Sequence, residues 1–205
     1  MRTVHPSRSL LPALLAGAAA CSDSGEPNGS TRPPSELNVV RVAPSSTPLL
    51  NATVSFYAKR GEDRQVQIFF QDESGGQGDE YVHLQVDAGS LLATADGTPI
   101  LPGDSVLIQV SVVDPAEMLF DLEPTGLEFN PVVPARLTVQ YDHADGDLNH
   151  DGVSDGLDGS IERTLSIWRE ERQTDPFVRL NSVLTIDTHE VEVDLTGLSR
   201  YAIAY

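Results

Sequence analysis

Lysine and arginine are scarce in this chain. There are 13 of them against 31 aspartates and glutamates, giving a formal net charge of -18 over 205 residues. A nucleic-acid backbone is gripped by clustered cations, so this deficit argues against nucleic acid as a partner. An acidic surface suits solubility and the binding of cations instead. Cysteine is nearly absent too: Cys21 is the only one, so no disulfide can form within the chain and its core must hold by packing. Long apolar runs are also missing. The segment LLPALLAGAAA, residues 10–20, falls short of the roughly 20 apolar residues that a membrane-spanning helix needs. No H-E-x-x-H or phosphate-binding glycine-rich loop occurs, which removes the common zinc-protease and nucleotide-enzyme signatures.

What is present begins with an unusual N-terminus. Arg2 and Arg8 precede the short apolar run, and small residues lead up to Cys21, so residues 1–21 read as a secretory signal. The stretch Ala18-Ala19-Ala20-Cys21 resembles the lipobox of bacterial lipoproteins, whose cysteine becomes the lipidated N-terminus after cleavage. That resemblance implies lipidation at Cys21 and a membrane as partner through the lipid. Because Ser22 follows the cysteine, it also implies delivery to the outer membrane. Residues 22–36, SDSGEPNGSTRPPSE, lack large apolar side chains and read as a flexible tether.

From Leu37 the apolar period is two. Val54, Phe56 and Ala58 alternate along one stretch, Val66, Ile68 and Phe70 along another, and Val106, Ile108, Val110 and Val112 along a third; this is the pattern of a strand with one buried face. Further strands are expected at 37–42, 80–86, 117–121, 135–141, 164–169, 182–187, 190–195 and 200–205, separated by turn-rich pieces such as Asp96-Gly97 and Pro102-Gly103-Asp104. Many short strands with such punctuation predict an all-β, antiparallel β-sandwich over residues 37–205. Residues 160–172 contain helix formers, but Thr164 to Trp168 alternates better as a strand, so no helix is predicted.

Four motifs occur in order: Pro102-Gly103-Asp104 before a long apolar strand, Leu122-Glu123-Pro124-Thr125-Gly126-Leu127-Glu128-Phe129, Pro134-Ala135-Arg136-Leu137-Thr138-Val139, and Leu198-Ser199-Arg200-Tyr201-Ala202. Their succession resembles the ZU-type β-sandwich domain of ankyrins, netrin receptors and tight-junction scaffolds, as it occurs in bacterial envelope proteins. The resemblance covers about residues 80–205 and implies an interaction or scaffolding module. Some relatives cut their own backbone at a Phe-Ser bond preceded by His. Here the equivalent stretch is Gly197-Leu198-Ser199, with neither His nor Phe, so Ser199 lacks a local base and reads as a strand-edge hydroxyl.

The densest chemistry lies in residues 145–159, DGDLNHDGVSDGLDG. Counted from Asp147, the loop offers Asp147, Asn149, Asp151, Gly152, Val153, Asp155 and Asp158. This resembles the calcium loop of EF-hands and, more closely, of dockerin and thrombospondin-type repeats. Calcium takes about six to eight oxygens; alternating acidic side chains can converge on it, glycine at the sixth place permits the sharp turn, and the seventh residue gives its carbonyl. The expected ligands are therefore Asp147, Asn149, Asp151, the Val153 carbonyl, Asp155 and Asp158. At the last position an EF-hand has the longer Glu. Without an ion, carboxylates about 4 Å apart repel by roughly 1 kcal/mol per pair even at the dielectric of water. A structural Ca2+ that orders an insertion at 142–163 is expected, with a dissociation constant on the order of 0.1–1 mM. His143 and His150 flank the loop and are expected in solvent, since an oxygen-rich site without Cys fits zinc poorly.

These features predict an exported, lipid-anchored, non-catalytic envelope protein whose partner is another envelope protein or a polysaccharide. The alternative is a carbohydrate-binding module, with Trp168, Tyr57, Phe69, Tyr81 and Phe177 as a stacking platform. A secreted hydrolase would need a carboxylate pair such as Glu170-Glu171, or two of Glu190, Glu192 and Asp194. The latter three alternate with Val191, Val193 and Leu195, as the solvent face of a strand does.

Overall fold

The computed structural model describes residues 27–205, and over them the period-two segments pair as antiparallel strands. In chain order these are β1 Pro27–Arg32, β2 Thr53–Lys59, β3 Arg64–Gln71, β4 Gln77–Val86, β5 Leu91–Ala93, β6 Ser105–Val112, β7 Leu119–Glu123, β8 Glu128–Phe129 and β9 Ala135–Gln140. A short helix, α1 Gly156–Glu162, precedes β10 Ser166–Glu170, β11 Phe177–Leu180, β12 Val183–Thr185, β13 Glu190–Leu195 and β14 Arg200–Ala204. A seven-stranded sheet runs β1-β11-β10-β14-β7-β6-β2, a five-stranded sheet runs β12-β13-β9-β4-β3, and β5 pairs with β8 in a small third sheet. The expected antiparallel sandwich is the observed architecture.

The alternation explains the core. Ala58, Ile108, Val110, Phe120, Leu122, Tyr201 and Ile203 point inward from the larger sheet; Ile68, Phe70, Val82, Leu84, Leu137, Val139, Val191 and Val193 point inward from the other, and all are buried in one cluster. Each of the Val, Leu, Ile and Phe side chains among them contributes about 1.5–3 kcal/mol by leaving water. Slipping any of these strands by one residue would turn its apolar set outward, which is why register is so firmly set. On β13 the opposite face carries Glu190, Glu192 and Asp194, and Arg136 pairs with Glu192 at 3.4 Å and Asp194 at 3.6 Å. That carboxylate row is the outward face of a half-buried strand.

A smaller apolar cluster lies on the outer face of the seven-stranded sheet: Trp168, Ala202 and Ala204, with Leu37 and Phe177 and, half-buried, Val39 and Leu119. Residues 37–42, expected as a strand, are a strap instead. They make isolated bridges at Val39, Arg41 and Val42, with Val40 N–H donating to the Ile203 carbonyl at 2.9 Å. The strap's side chains fill a face that the sheet would otherwise leave wet.

Three further expectations need correction. Residues 22–36 are not tether throughout, because β1 adds to the edge of the larger sheet with Thr31 opposite Val178 and Arg32 opposite Phe177. Pairing there uses the main chain, which composition does not report. Arg32 also holds the strand: its guanidinium lies 5.6 Å from the Trp168 ring centre and Nη1 donates to the Tyr205 carbonyl at 2.9 Å, a cation–π contact beside a hydrogen bond. Second, α1 occupies residues that no helical period marks. Third, the strand expected at 182–187 ends at Thr185, and residues 186–188 form a 3-10 turn closed by His189 at φ 47°.

Candidate metal centre

The insertion between β9 and β10 is tied to the sandwich before its acidic run begins. The His143 carbonyl accepts from Ala43 N–H at 2.8 Å, Asp145 N–H donates to the Arg41 carbonyl at 2.8 Å, and Tyr205 Oη donates to the Leu148 carbonyl. Leu148 and Leu165 are buried and Ile161 packs against the main core. His143 does not stand in solvent as expected: its ring stacks on Phe70 at 3.9 Å between centres and Nε2 meets Asp79 Oδ2 at 3.2 Å. An imidazole is flat and apolar on its faces, so a hydrophobic neighbour captures it. His150 is exposed, at φ 59°.

Within the loop, side-chain oxygens wrap the backbone. Asp147 Oδ1 accepts from Asp151 N–H at 3.1 Å and Oδ2 from Gly152 N–H at 2.8 Å. Asn149 Oδ1 accepts from Asp151 N–H at 2.9 Å, and Asp151 Oδ1 from Val153 N–H at 3.0 Å. Asp145, outside the expected ligand set, accepts from Asp147 N–H at 3.2 Å. These are the short-range bonds that Asp and Asn offer a turning chain. Gly152 has φ 91°, and a Cβ there would meet nothing within 4 Å. Backbone conformation, not crowding, therefore calls for glycine.

The loop closes through the start of α1. Asp155 is the N-cap: its Oδ1 accepts from Leu157 N–H at 2.7 Å, while Asp158 Oδ2 accepts from Asp155 N–H at 2.8 Å. The pair forms a capping box with Asp in place of the usual Glu or Gln. Asp158 Oδ1 also accepts from Asn149 N–H at 3.1 Å, so a single carboxylate joins both ends of the loop. Asp158 is 4% exposed. Its pKa is held below the ordinary carboxylate value, first by the Asp155 N–H, with the Asn149 and Leu148 N–H groups adding to it.

Several donors of the expected site therefore lie on one compact turn: the side-chain oxygens of Asp147, Asn149 and Asp151, with Asp158 folded back onto it. Among the described residues, no group of three His, Cys, Asp or Glu is close enough together to hold an ion. The carboxylates are spread along the turn and satisfied by N–H groups. The donor chemistry still fits a hard cation. Asp147, Asp151, Asp155 and Asp158 enter no ion pair with Lys, Arg or His among the described residues, and a carboxylate oxygen that accepts one N–H keeps a second lone pair. Beside the loop is a cavity of about 310 Å³ lined by Tyr141, Asp142, Asp145, Asp158, Glu162 and His189 among others. Tyr141 Oη donates to Glu162 Oε1 at 3.2 Å, and burial followed by the Glu162 charge pushes the phenol pKa up.

The other candidates fare unevenly. Of the five aromatics expected as a stacking platform, Trp168, Tyr81 and Phe177 are buried, Phe69 is half-buried, and Tyr57 alone stands out at 66% exposure. Ser199 is buried rather than at an open edge, and its carbonyl accepts from Leu122 N–H at 2.9 Å. Cys21 lies outside the described residues. Sequence reasoning missed one constellation: Glu170, Arg200 and Asp121 stand opposite one another on β10, β14 and β7. Arg200 donates to Asp121 through Nε at 2.6 Å and Nη2 at 3.0 Å, and its Nη1 lies 3.4 Å from Glu170 Oε2. Glu170 and Arg200 are 30 residues apart in a chain whose pairing partners cannot be read off one strand at a time. No family model, curated protein or solved structure matches the chain.

Proposed function

We propose that this is an exported, lipid-anchored envelope protein without catalysis of its own, an interaction or scaffolding module whose one large insertion is ordered by calcium. The observation that carries the metal part is the turn from Asp147 to Asp158: oxygen donors at alternate positions, glycine at φ 91° at the sixth, and Asp158 bonded to both the Asn149 and Asp155 N–H groups. Calcium would be held by Asp147, Asn149, Asp151, Asp155 and Asp158 together with the Val153 carbonyl, and its charge would relieve the repulsion among the carboxylates. The chain's own residues set the turn and cap α1; the ion would lock that arrangement rather than take part in chemistry.

The export and anchoring part rests on residues 1–21. The scaffold part rests on the four ZU-type motifs, which in the sandwich lead into β6, span the end of β7 to β8, begin β9 and lead into β14. Metabolic labelling with a fatty-acid analogue tests the anchor. The expected outcome is a labelled chain in the outer-membrane fraction, with label and membrane retention both lost on Cys21→Ala. Label that persists in that variant, or a wild-type chain that stays unlabelled and soluble, would contradict lipidation.

A further inference from the structure

The two larger sheets each end in two edge strands, and three of these four edges are guarded. β12 is three residues long. β1 opens on Pro27 and shifts register between Pro27 and Thr31. β3 is closed along its second half by residues 48–50: Leu50 N–H donates to the Phe69 carbonyl and Gln71 N–H to the Pro48 carbonyl, both at 2.8 Å. Shortness, proline, irregular register and a covering segment are the means by which sheets keep an edge from pairing with another chain. β2 has none of them. It holds register with β6 over all seven of its residues, contains neither proline nor glycine, and pairs with no described residue on its far side.

The ladder fixes which groups this edge presents. Val112 N–H donates to the Ala52 carbonyl and Arg60 N–H to the Asp104 carbonyl, so the even-numbered residues of β2 bond to β6, while Thr53, Ser55, Tyr57 and Lys59 turn their N–H groups outward. The side chains show the same opening. Val54 and Phe56 face the core yet are only half-buried, whereas Val110 and Ile108, opposite them on β6, are fully buried. Tyr57 is 66% exposed beside Leu107 at 50%. Negative charge is missing too: β2, β6 and β3 contain no aspartate or glutamate, in a chain that has 31. Of the two carboxylates in the turn after β2, Glu62 is paired with Lys59 at 2.6 Å and with Arg64, and Asp63 accepts from Ala88 N–H at 2.8 Å.

We propose that β2 pairs with β2 of a second copy of this chain, antiparallel about a two-fold axis through Phe56, joining two seven-stranded sheets into one. Two observations select a copy over a foreign strand. The edge is complementary to itself: this register sets Val54 opposite Ala58 of the second copy and Ser55 opposite Tyr57 of the second copy, a larger side chain facing a smaller one each time, and it matches outward N–H groups with outward carbonyls. Charge makes the same choice. Chains of net charge -18 repel one another, so two copies can touch only where carboxylates are absent, and across this pair no carboxylate meets another. An isologous contact of this kind closes on itself and stops at the dimer. The inference goes beyond the proposed function and depends on neither the lipid nor calcium.

Sedimentation equilibrium of the full-length chain, kept reduced so that Cys21 cannot cross-link copies, is the test. A single strand pair is a small interface and a weak one, so dimer is expected at protein concentrations of roughly 0.1–0.5 mM. Raising sodium chloride from about 0.02 to 0.5 M should tighten it several-fold, because salt screens the repulsion between acidic copies. Ser55→Pro removes an outward N–H and leaves the bonds to β6 in place, and Tyr57→Asp sets a carboxylate on each side of the axis. Each should weaken the dimer by about tenfold or more, with the melting of the dilute monomer unchanged. Should the proline variant fail to fold, Tyr57→Asp carries the test alone. A wild type that stays monomeric across that range, an association that weakens as salt is added, or undiminished dimer in the folded variants would each overturn the proposal. The first of these would leave the edge to a strand of another protein.

Discussion

The sandwich interior and the insertion at 142–163 are held together by opposite means. Between the sheets, side chains such as Ile108, Leu84 and Leu137 are fully buried and contribute by leaving water. In the insertion, Asp147, Asn149, Asp151 and Asp158 bond to main-chain N–H groups a few residues away. The first kind of cohesion depends on volume and is nearly indifferent to pH and ions. The second is weak bond by bond and puts like charges next to one another, so it responds to protons and to cations.

That contrast can be pressed hardest in the core. Ile108→Ala should cost about 2–5 kcal/mol in urea unfolding, because the cavity it leaves between packed sheets relaxes only partly. The same loss should be found in calcium and in chelator. A cost below about 1 kcal/mol would mean that the interior is not close-packed.

A smaller effect is expected from the polar row on the outer face. Arg200→Leu removes the partner of Glu170, which is 3% exposed, and of half-buried Asp121. The expected cost is about 2 kcal/mol, below the roughly 3–5 kcal/mol of a fully buried pair because the arginine is partly screened by solvent. Adding Glu170→Leu should recover part of the loss. If the double variant were less stable than Arg200→Leu alone, the stranded charge would not be the cause.

The smallest effect distinguishes the insertion by pH. The Asp158 pKa is lower in the folded chain than its ordinary value of 3.8, chiefly through the Asp155 N–H. A depressed carboxylate contributes stability in full above the unfolded value and loses it as pH falls through the folded one. Wild-type melting temperature should therefore drop as pH falls below about 4, and Asp158→Asn should flatten that limb while leaving the core's response unchanged. An acid limb of equal slope in both proteins would remove Asp158 from the account.

How much of this was legible follows the same division. β2, β3, β4, β6, β9 and β13 carry their burial largely as alternation and could be placed from the sequence, as could β14, which is buried on both faces. β5, β8 and β11 are two to four residues long, too short to show a period, and β1 pairs through its backbone in a segment of tether composition. α1 is seven residues with Gly156 and Gly159 inside it, so propensity argues against it. Its only local signal is the cap, Asp155 followed by Asp158, residues already assigned to the metal loop. Both assignments are compatible, because the cap orients the carboxylates that the ion would use. The Glu170–Arg200–Asp121 row was invisible for a different reason: it exists only once three distant strands are set side by side.

Calorimetric titration of calcium into the full-length chain, beside the Asn149→Ala, Asp151→Ala double variant, decides whether the turn at 147–158 is a metal site. Saturable binding with a dissociation constant on the order of 0.1–1 mM is expected, lost in the variant, with a melting temperature that rises with calcium in the wild type alone. No heat of binding at several-fold higher calcium, or equal binding by both proteins, would contradict it and leave residues 147–158 as an acidic turn held by its own N–H groups.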